Sequence, residues 1–140
     1  MSRSRASEPM ADLTDHDVAL LKGPNFAHFV TLNEDGTAHA APLWIDADDE
    51  GHVVVNSAVG RKKDRNIRRD PRVAVSIHGQ DDPYTWTAIN GTVVSIETGE
   101  EAEAHIDFLN QKYHDGERWE YVPGSVRVMY RIRPNRIVRG

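Results

Sequence analysis

The residues of this chain best suited to chemistry lie in one basic stretch, residues 56–72, which joins a strand to a short helix. Seven of the chain's lysines and arginines fall within residues 61–72. The run before it, residues 52–56, is short and β-branched, which is typical of a buried strand. Pro71 ends the helix, because the residue before a proline is driven out of helical geometry. We therefore predict a helix over about residues 59–69, with Ser57 able to cap its N-terminus.

Helical spacing places Lys63 on the apolar side of this helix, between Val59 and Ile67. An ammonium there must reach solvent or meet a fixed anion, because an unpaired buried charge is costly. Lys63 is also close to the helix start, where free backbone N–H groups and the positive end of the helix dipole favour anions. Arg61 can add a forked donor to the same anion. The sequence therefore predicts a phosphate site formed by the helix N-terminus, Ser57, Arg61 and Lys63.

Two other interpretations of the basic stretch stay open. It could be a solvated helix face from which Lys63 extends into water, as most charge runs are. It could also bind a nucleic acid, but the net charge of -5 argues against a broad phosphate-binding surface, and no aromatic residue is interleaved for base stacking. A compact anion fits the stretch better, and we expect no nucleic-acid partner.

Composition sets the remaining bounds. The 140 residues suffice for one domain, and we expect a flexible arm over residues 1–13 and a single domain over residues 14–140. The absence of cysteine excludes disulfides and a cysteine nucleophile. No apolar run approaches about eighteen residues and no secretory signal is visible, so we expect no membrane partner and a cytoplasmic location. Seven histidines occur without a metal-ligand spacing, and neither a nucleophile elbow nor a Rossmann glycine loop is present. We therefore expect no metal site, and catalytic residues stay unassigned.

The chain around the basic helix is predicted to be mainly β. Strands are expected over residues 26–32, 38–46, 52–56, 73–78, 84–97 and 125–133. Helices are expected before Gly23 and from Gly99 to about Gly116. Gly91 interrupts the longest strand, where a bulge would let a barrel close. In the last strand we expect one apolar face and a basic outer face that includes Arg127. This order predicts an antiparallel barrel with a crossover helix and a C-terminal helix.

The segment from Ala58 to Val73 resembles the cofactor-binding stretch of the pyridoxamine 5′-phosphate oxidase-like split β-barrel proteins. Relatives carry a run of the form A-x-x-R-x-K-x-x-N-L-R-R-D-P-R-V there, and the segments Pro42-Leu43-Trp44 and Trp86-x-x-Ile89-x-Gly91-Thr92-Val93 add to the likeness. The resemblance is strongest to the small flavin- and F-420-dependent oxidoreductases. It implies an antiparallel split β-barrel of the FMN-binding type.

The resemblance also implies which residues contact a cofactor. The family's phosphate-binding arginine and lysine fall on Arg61 and Lys63, and its helix-packing Asn-Leu pair falls on Asn66 and Ile67. The cofactor ring is expected along Ser57 and the strand that carries Pro42 and Trp44, although those two residues could instead pack in the core or a dimer interface. The predicted cofactor-binding residues are therefore Pro42, Trp44, Asn56, Ser57, Ala58, Arg61, Lys63 and Asn66. Tyr113, Trp119 and Tyr121 could wall a substrate pocket or plug the barrel end.

The function implied by the resemblance is hydride transfer with coenzyme F-420, with FMN as the alternative cofactor. We expect a homodimer with the cofactor at its interface and a conjugated small molecule, not identified by the sequence, as hydride acceptor. Oxidation of vitamin B6 is not expected, because the chain lacks the tryptophan-containing C-terminal segment of the true oxidases. An alternative of a different class is a split barrel that binds flavin or haem without turnover.

Overall fold

The computed structural model describes residues 9–114, 120 and 122–140. Its three helices are α1 (Asp15–Lys22), α2 (Lys62–Arg69) and α3 (Glu100–Tyr113). Its strands are β1 (Ala27–Leu32), β2 (Ala38–Leu43), β3 (Ile45–Ala47), β4 (Val53–Ala58), β5 (Arg72–Gly79), β6 (Asp82–Thr98) and β7 (Arg127–Arg139). All strand pairs are antiparallel, in the order β2-β1-β5-β6-β7-β4-β3. The curled sheet with its three helices confirms the predicted split barrel.

Trp44 marks the point where the chain passes between the two edges of the sheet. The strand predicted over residues 38–46 is in fact two strands, because β2 pairs with β1 whereas β3 pairs with β4. Those pairs lie at opposite ends of the strand order. The core inside the curled sheet is apolar, with Phe29, Val75 and Tyr130 among its fully buried side chains. The β2–β3 corner thus brings the two sheet edges together beside one cleft.

The bulge predicted at Gly91 is confirmed. The register between β6 and β7 shifts between Asn90 and Gly91, and a Cβ atom on Gly91 would lie 2.6 Å from the carbonyl oxygen of Arg133. The predicted end of the last strand at residue 133 is wrong, since β7 continues to Arg139. Pro134 pairs with Gly91 at the irregularity, where its missing N–H does not interrupt a regular ladder.

The predicted basic outer face of the last strand is only partly correct. Arg131 is partly exposed, but Arg127 and Met129 are 6% and 3% exposed. Met129 packs with Ala102 of α3, so this helix covers one end of the face. Alternation along a strand separates its two faces, but does not say which face another element will cover.

The start predicted for the basic helix is also wrong. Helix α2 begins at Lys62, its N-cap residue is Arg61, and no side chain caps it. Ser57 and Ala58 instead continue β4 and pair with β7, and the chain turns at Gly60 with a φ of 90°. Cross-strand pairing therefore takes precedence over the capping tendency of Ser57. The predicted end of the helix at Arg69 is correct.

Residues 9–13 lie against the barrel. The amide of Ala11 donates to the carbonyl oxygen of Pro134 at 2.8 Å, and Leu13 packs against the core. Residues 1–8, the rest of the predicted arm, lie outside the described residues.

In the part of the chain that is described, no helix is long and apolar enough to cross a membrane. The same residues contain no group of three or more metal-ligating side chains suited to a metal ion.

Asp17 is a buried carboxylate that ties α1 to the last strand. It accepts hydrogen bonds from Thr87 Oγ1 at 2.9 Å and from Arg139 Nη2 at 2.7 Å, and it closes a capping box with Thr14. Burial raises its pKa, but the bonds from Arg139, Thr14 and Thr87 outweigh burial and lower the pKa to about 2. The carboxylate is therefore ionised in the folded protein down to strongly acidic pH.

We expect the free energy of unfolding to fall as the pH drops below about 4, with Asp17 as one cause. Its folded pKa of about 2 lies below the ordinary 3.8. The stabilisation is therefore complete above the ordinary pKa and is lost as the pH falls through about 2. With a discount for the 41% exposure of the Arg139 side chain, it amounts to about 1 to 2 kcal/mol. Urea unfolding between about pH 2 and pH 6 should show a flatter profile for Asp17→Asn than for wild type. Equal flattening by Asp15→Asn, at an exposed acid of α1, would contradict the assignment.

Candidate functional site

A cleft of about 280 Å³ lies beside the β2–β3 corner. Its lining residues come from β2 and the β2–β3 corner, from β4 and β7, from the start of α2 and from one face of α3, together with Phe26 before β1. They are Phe26, Pro42, Leu43, Trp44, Asn56, Arg61, Lys63, Ile106, Leu109 and Arg127. Five of the eight predicted cofactor-binding residues are therefore brought together here: Pro42, Trp44, Asn56, Arg61 and Lys63.

One side of the cleft is flat and aromatic. The ring of Trp44 stacks on Tyr113 with centroids 5.4 Å apart and an interplanar angle of 9°. The Tyr113 hydroxyl donates to the carbonyl oxygen of Asn25 at 2.6 Å and accepts from the amide of Ile45 at 3.2 Å. Burial raises the pKa of Tyr113, which keeps this donor protonated. Trp44 is thus held as a rigid wall suited to a planar conjugated ring.

The other side of the cleft is cationic, with Arg61, Lys63 and Arg127 among its lining residues. Burial lowers the pKa of Lys63, and the charges of Arg61 and Arg127 lower it further. Burial and then the charge of Arg61 lower the pKa of Arg127 to about 10. Among the described lining residues there is no carboxylate. The three side chains therefore repel one another, and a bound anion would relieve that repulsion.

Lys63 gives the clearest indication that the cleft is suited to an anion. Its side chain is half-buried, and it makes no hydrogen bond or ion pair within the described ranges. An ammonium in such a place is unfavourable without a counter-charge. The structure thus supports the anion interpretation of the basic stretch over a fully solvated helix face.

The turn that carries Arg61 is fixed from behind by Asp64, which is 1% exposed. Its carboxylate accepts from the amide of Gly60 at 2.9 Å and from the Tyr130 hydroxyl at 2.6 Å, and Arg68 Nε lies 3.0 Å away. Burial raises the pKa of Asp64, but these bonds outweigh it and leave the pKa below its usual range. Asp64 therefore uses its charge to anchor the start of α2, and it is not among the residues that line the cleft.

Three predicted cofactor-binding residues do not line the cleft. Ser57 is 2% exposed and lies on the same face of β4 as the core residues Val53 and Val55. Ala58 is buried at the end of the strand. Asn66 faces β1, where its amide donates to Thr31 and Asn33 side chains at 3.0 Å, so it packs the helix onto the sheet. Trp119 and Tyr121, proposed with Tyr113 as pocket walls, lie outside the described residues.

Sequence reasoning missed Arg127 and Asp64. Arg127 alternates with apolar residues, and this pattern suggested an exposed position because nothing local indicates that α3 will cover it. Asp64 did carry a signal, since it is the one acid in the first turn of a basic helix. The free backbone N–H groups of a first turn favour a carboxylate.

Comparisons with known proteins show the family and agree with the fold. Residues 13–137 match the family model described as pyridoxamine 5′-phosphate oxidase. A solved structure named as an F420 reductase is 29% identical, with 90% of this chain and 98% of that chain covered and a TM-score of 0.78. A Listeria innocua protein named as a candidate pyridoxamine 5′-phosphate oxidase is 26% identical, with 81% and 86% covered and a TM-score of 0.59.

More distant structures share the fold alone. A conserved protein from Mycobacterium tuberculosis is 22% identical over 99% of this chain and 89% of its own, with a TM-score of 0.64. A search of curated proteins gives no match. The solved structures that resemble this chain therefore carry different names.

Proposed function

The chain belongs to the pyridoxamine 5′-phosphate oxidase family, and from this premise we propose that its cleft binds a phosphate-bearing flavin or deazaflavin. We propose further that the protein is an oxidoreductase which uses coenzyme F-420 to transfer hydride to or from a conjugated small molecule. The observation that carries the proposal is Lys63, a half-buried ammonium without a hydrogen bond or ion pair in the described ranges, which lines the cleft beside Arg61 and Arg127.

The residues present fit such a cofactor at both ends. A phosphate dianion is a strong acceptor that suits the guanidinium groups of Arg61 and Arg127 and the ammonium of Lys63. The flat wall formed by Trp44 beside Pro42 suits a tricyclic ring. When bound, the cofactor would supply the hydride chemistry, and the protein would hold the ring, exclude water and position the acceptor. Such a role requires no acid–base dyad, consistent with the lining described.

Support for F-420 over FMN comes from the F420 reductase structure, whose full length is nearly matched by this chain. The Arg-x-Lys-x-x-Asn form of residues 61–66 also resembles the F-420-dependent branch of the family. FMN stays the alternative, because Arg61 and Lys63 would grip the phosphate of either molecule. Oxidation of vitamin B6 is not part of the proposal.

We propose a homodimer in which a second copy closes the open side of the cleft. Phe26 lies at the cleft and is 53% exposed, and Val94 and Val126 are also exposed apolar side chains at 45% and 51%. Light scattering should give about twice the chain mass of 15.7 kDa. A monomer with undiminished cofactor affinity would remove the dimer from the proposal.

The experiment that tests the function is a fluorescence titration of the purified protein with F-420 and, separately, with FMN. We expect saturable binding of F-420 and much weaker binding of its phosphate-free chromophore, because the cations would contact the phosphate. Tight binding of FMN alone would change the assignment to a flavin reductase or oxidase. Failure to bind either would refute the cofactor assignment.

Turnover is tested separately with reduced F-420 and a panel of conjugated acceptors. Oxidation of the cofactor that depends on both protein and acceptor is the expected result. Tight binding with no acceptor-dependent oxidation across quinones, nitro compounds and unsaturated lactones would favour a protein that binds the cofactor without turnover.

A further inference from the structure

A buried histidine without a role in the proposed function lies behind the cleft. His105 is on α3, and its side chain is 9% exposed. Its Nδ1 atom lies 3.2 Å from Nδ2 of Asn56, and its Nε2 atom lies 3.5 Å from a carboxylate oxygen of Asp46 on β3. Asn56 lines the cleft and His105 does not. The hydrogen bond to Asn56 therefore connects the histidine to the site.

The hydrogen bonds of Asn56 allow only one orientation of its amide. Its Oδ1 accepts from Nε of Arg127 at 3.0 Å, and its Nδ2 donates to the carbonyl oxygen of Ala102 at 3.0 Å. A flipped amide would set two donors against each other at Arg127 and two acceptors against each other at Ala102. Because Nδ2 is a donor, Nδ1 of His105 must be the acceptor, which places the histidine proton on Nε2, facing Asp46.

Hydrogen bonds therefore link His105 through Asn56 to Arg127 in the cleft, and the Asp46 carboxylate lies near Nε2 without a hydrogen bond to it. We propose that His105 is a positioning residue that holds Asn56 so that Asn56 can orient Arg127 toward the bound phosphate. The inference rests on the proposed function, because the phosphate is what Arg127 would be oriented to meet. Arg127 has a long side chain with many rotamers, so a fixed Nε contact lowers the entropy cost of binding an anion.

The environment of His105 argues that its polarity serves a purpose beyond packing. The buried residues of α3 are Ala102, Ile106, Leu109 and Asn110, and on its other side His105 lines a second pocket together with Asp46. An apolar side chain at this position could still pack against α3 and β4, but it would leave Nδ2 of Asn56 without its second acceptor. The imidazole instead supplies an acceptor to the amide that contacts Arg127.

Three variants of His105 separate positioning from packing. His105→Leu removes the acceptor for Asn56. In His105→Asn, the side-chain oxygen can occupy the place of Nδ1, whereas in His105→Gln the polar group falls nearer the place of Nε2. We expect the Leu and Gln variants to weaken binding of FMN and F-420 by about three- to tenfold, the effect of one hydrogen bond. The Asn variant should stay close to wild type. Riboflavin, which lacks the phosphate, should bind all four proteins equally.

A second measurement needs no cofactor. In ¹⁵N NMR spectra, the Nε–H signal of Arg127 should be protected from exchange with water in wild type and His105→Asn, and should exchange faster in His105→Leu. This signal reports the Asn56 contact directly. Assignment of the signal follows from its absence in Arg127→Lys.

The outcomes distinguish the two proposals. Normal FMN and F-420 affinity in His105→Leu, with the Arg127 signal unchanged, would overturn the positioning role and leave the cofactor assignment intact. An equal loss of riboflavin and FMN binding would show that His105 is structural. If wild type binds neither cofactor, the proposed function fails, and an unprotected Arg127 signal in the wild type would overturn the positioning role as well.

Discussion

Exchange of Lys63 for alanine is expected to weaken binding of FMN or F-420 by about 1.5 to 3 kcal/mol, roughly a 10- to 150-fold rise in dissociation constant. The ammonium is half-buried, with no ion pair in the described part of the chain, so the cofactor phosphate would be its counter-charge. A charge-assisted hydrogen bond in a partly desolvated cleft is worth more than one at the surface.

The same exchange should not lower the free energy of unfolding of the cofactor-free protein. Burial and the charges of Arg61 and Arg127 lower the pKa of Lys63, which means that the folded structure disfavours its charged form. Alanine removes this unfavourable charge along with some aliphatic contact. Thermal unfolding without cofactor should therefore give a midpoint equal to or above that of wild type, while cofactor affinity falls.

Lys22→Ala is the matched control, because Lys22 is an exposed lysine that does not line the cleft. It removes the same charge from the chain and should leave cofactor affinity nearly unchanged. Riboflavin should bind Lys63→Ala and wild type alike. An equal loss of FMN affinity in both lysine variants would show that net charge alone attracts the cofactor and would contradict the phosphate site.

Those parts of the fold that depend on residues close together in the sequence could be predicted. The hairpin between β1 and β2 follows from its Asn-Glu-Asp-Gly turn, where Gly36 has a φ of 85°. The bulge at Gly91 follows from a glycine inside a long strand. The start of α2 could not be predicted, because Ser57 is suited both to cap a helix and to extend a strand. Pairing with Val128, about 70 residues later in the chain, decides between the two.

The residues of the site also fall into those predictable from local sequence and those that depend on tertiary contacts. Arg61 and Lys63 were predicted from a local pattern, and both line the cleft. Arg127 completes the cation group only because β7 pairs with β4 and places it opposite Ala58. His105 and Asp46 meet through the packing of α3 beside β3 and β4, for which no short-range spacing exists. Local sequence therefore predicts the two cations of the proposed phosphate site, Arg61 and Lys63. The residues that would orient the third cation, Arg127, are brought together by tertiary contacts.

Replacement of Asp64 by alanine should cost about 2 to 4 kcal/mol of stability, the largest effect on folding that we expect from one substitution near the site. The change leaves the Tyr130 hydroxyl and the Gly60 amide without their acceptor. Tyr130 is fully buried, so water cannot easily replace the carboxylate. Burial and the bond to Asp64 also raise the pKa of Tyr130, so the tyrosine stays a neutral donor that needs a partner. Urea unfolding at neutral pH measures the loss.

Tyr130→Phe is the matched variant, since it removes the hydroxyl and keeps the ring. In the Tyr130→Phe background, Asp64→Ala should be less damaging than in wild type, by about 1 to 2 kcal/mol, because the unpaired hydroxyl is then absent. Cofactor affinity should also fall in Asp64→Ala, although Asp64 does not line the cleft, because the carboxylate holds the Gly60 amide before Arg61. Additive losses in the double variant would show that the two side chains act independently. Unchanged FMN affinity in folded Asp64→Ala would show that the turn keeps its shape without the carboxylate, and that Arg61 is positioned by the strand and helix alone.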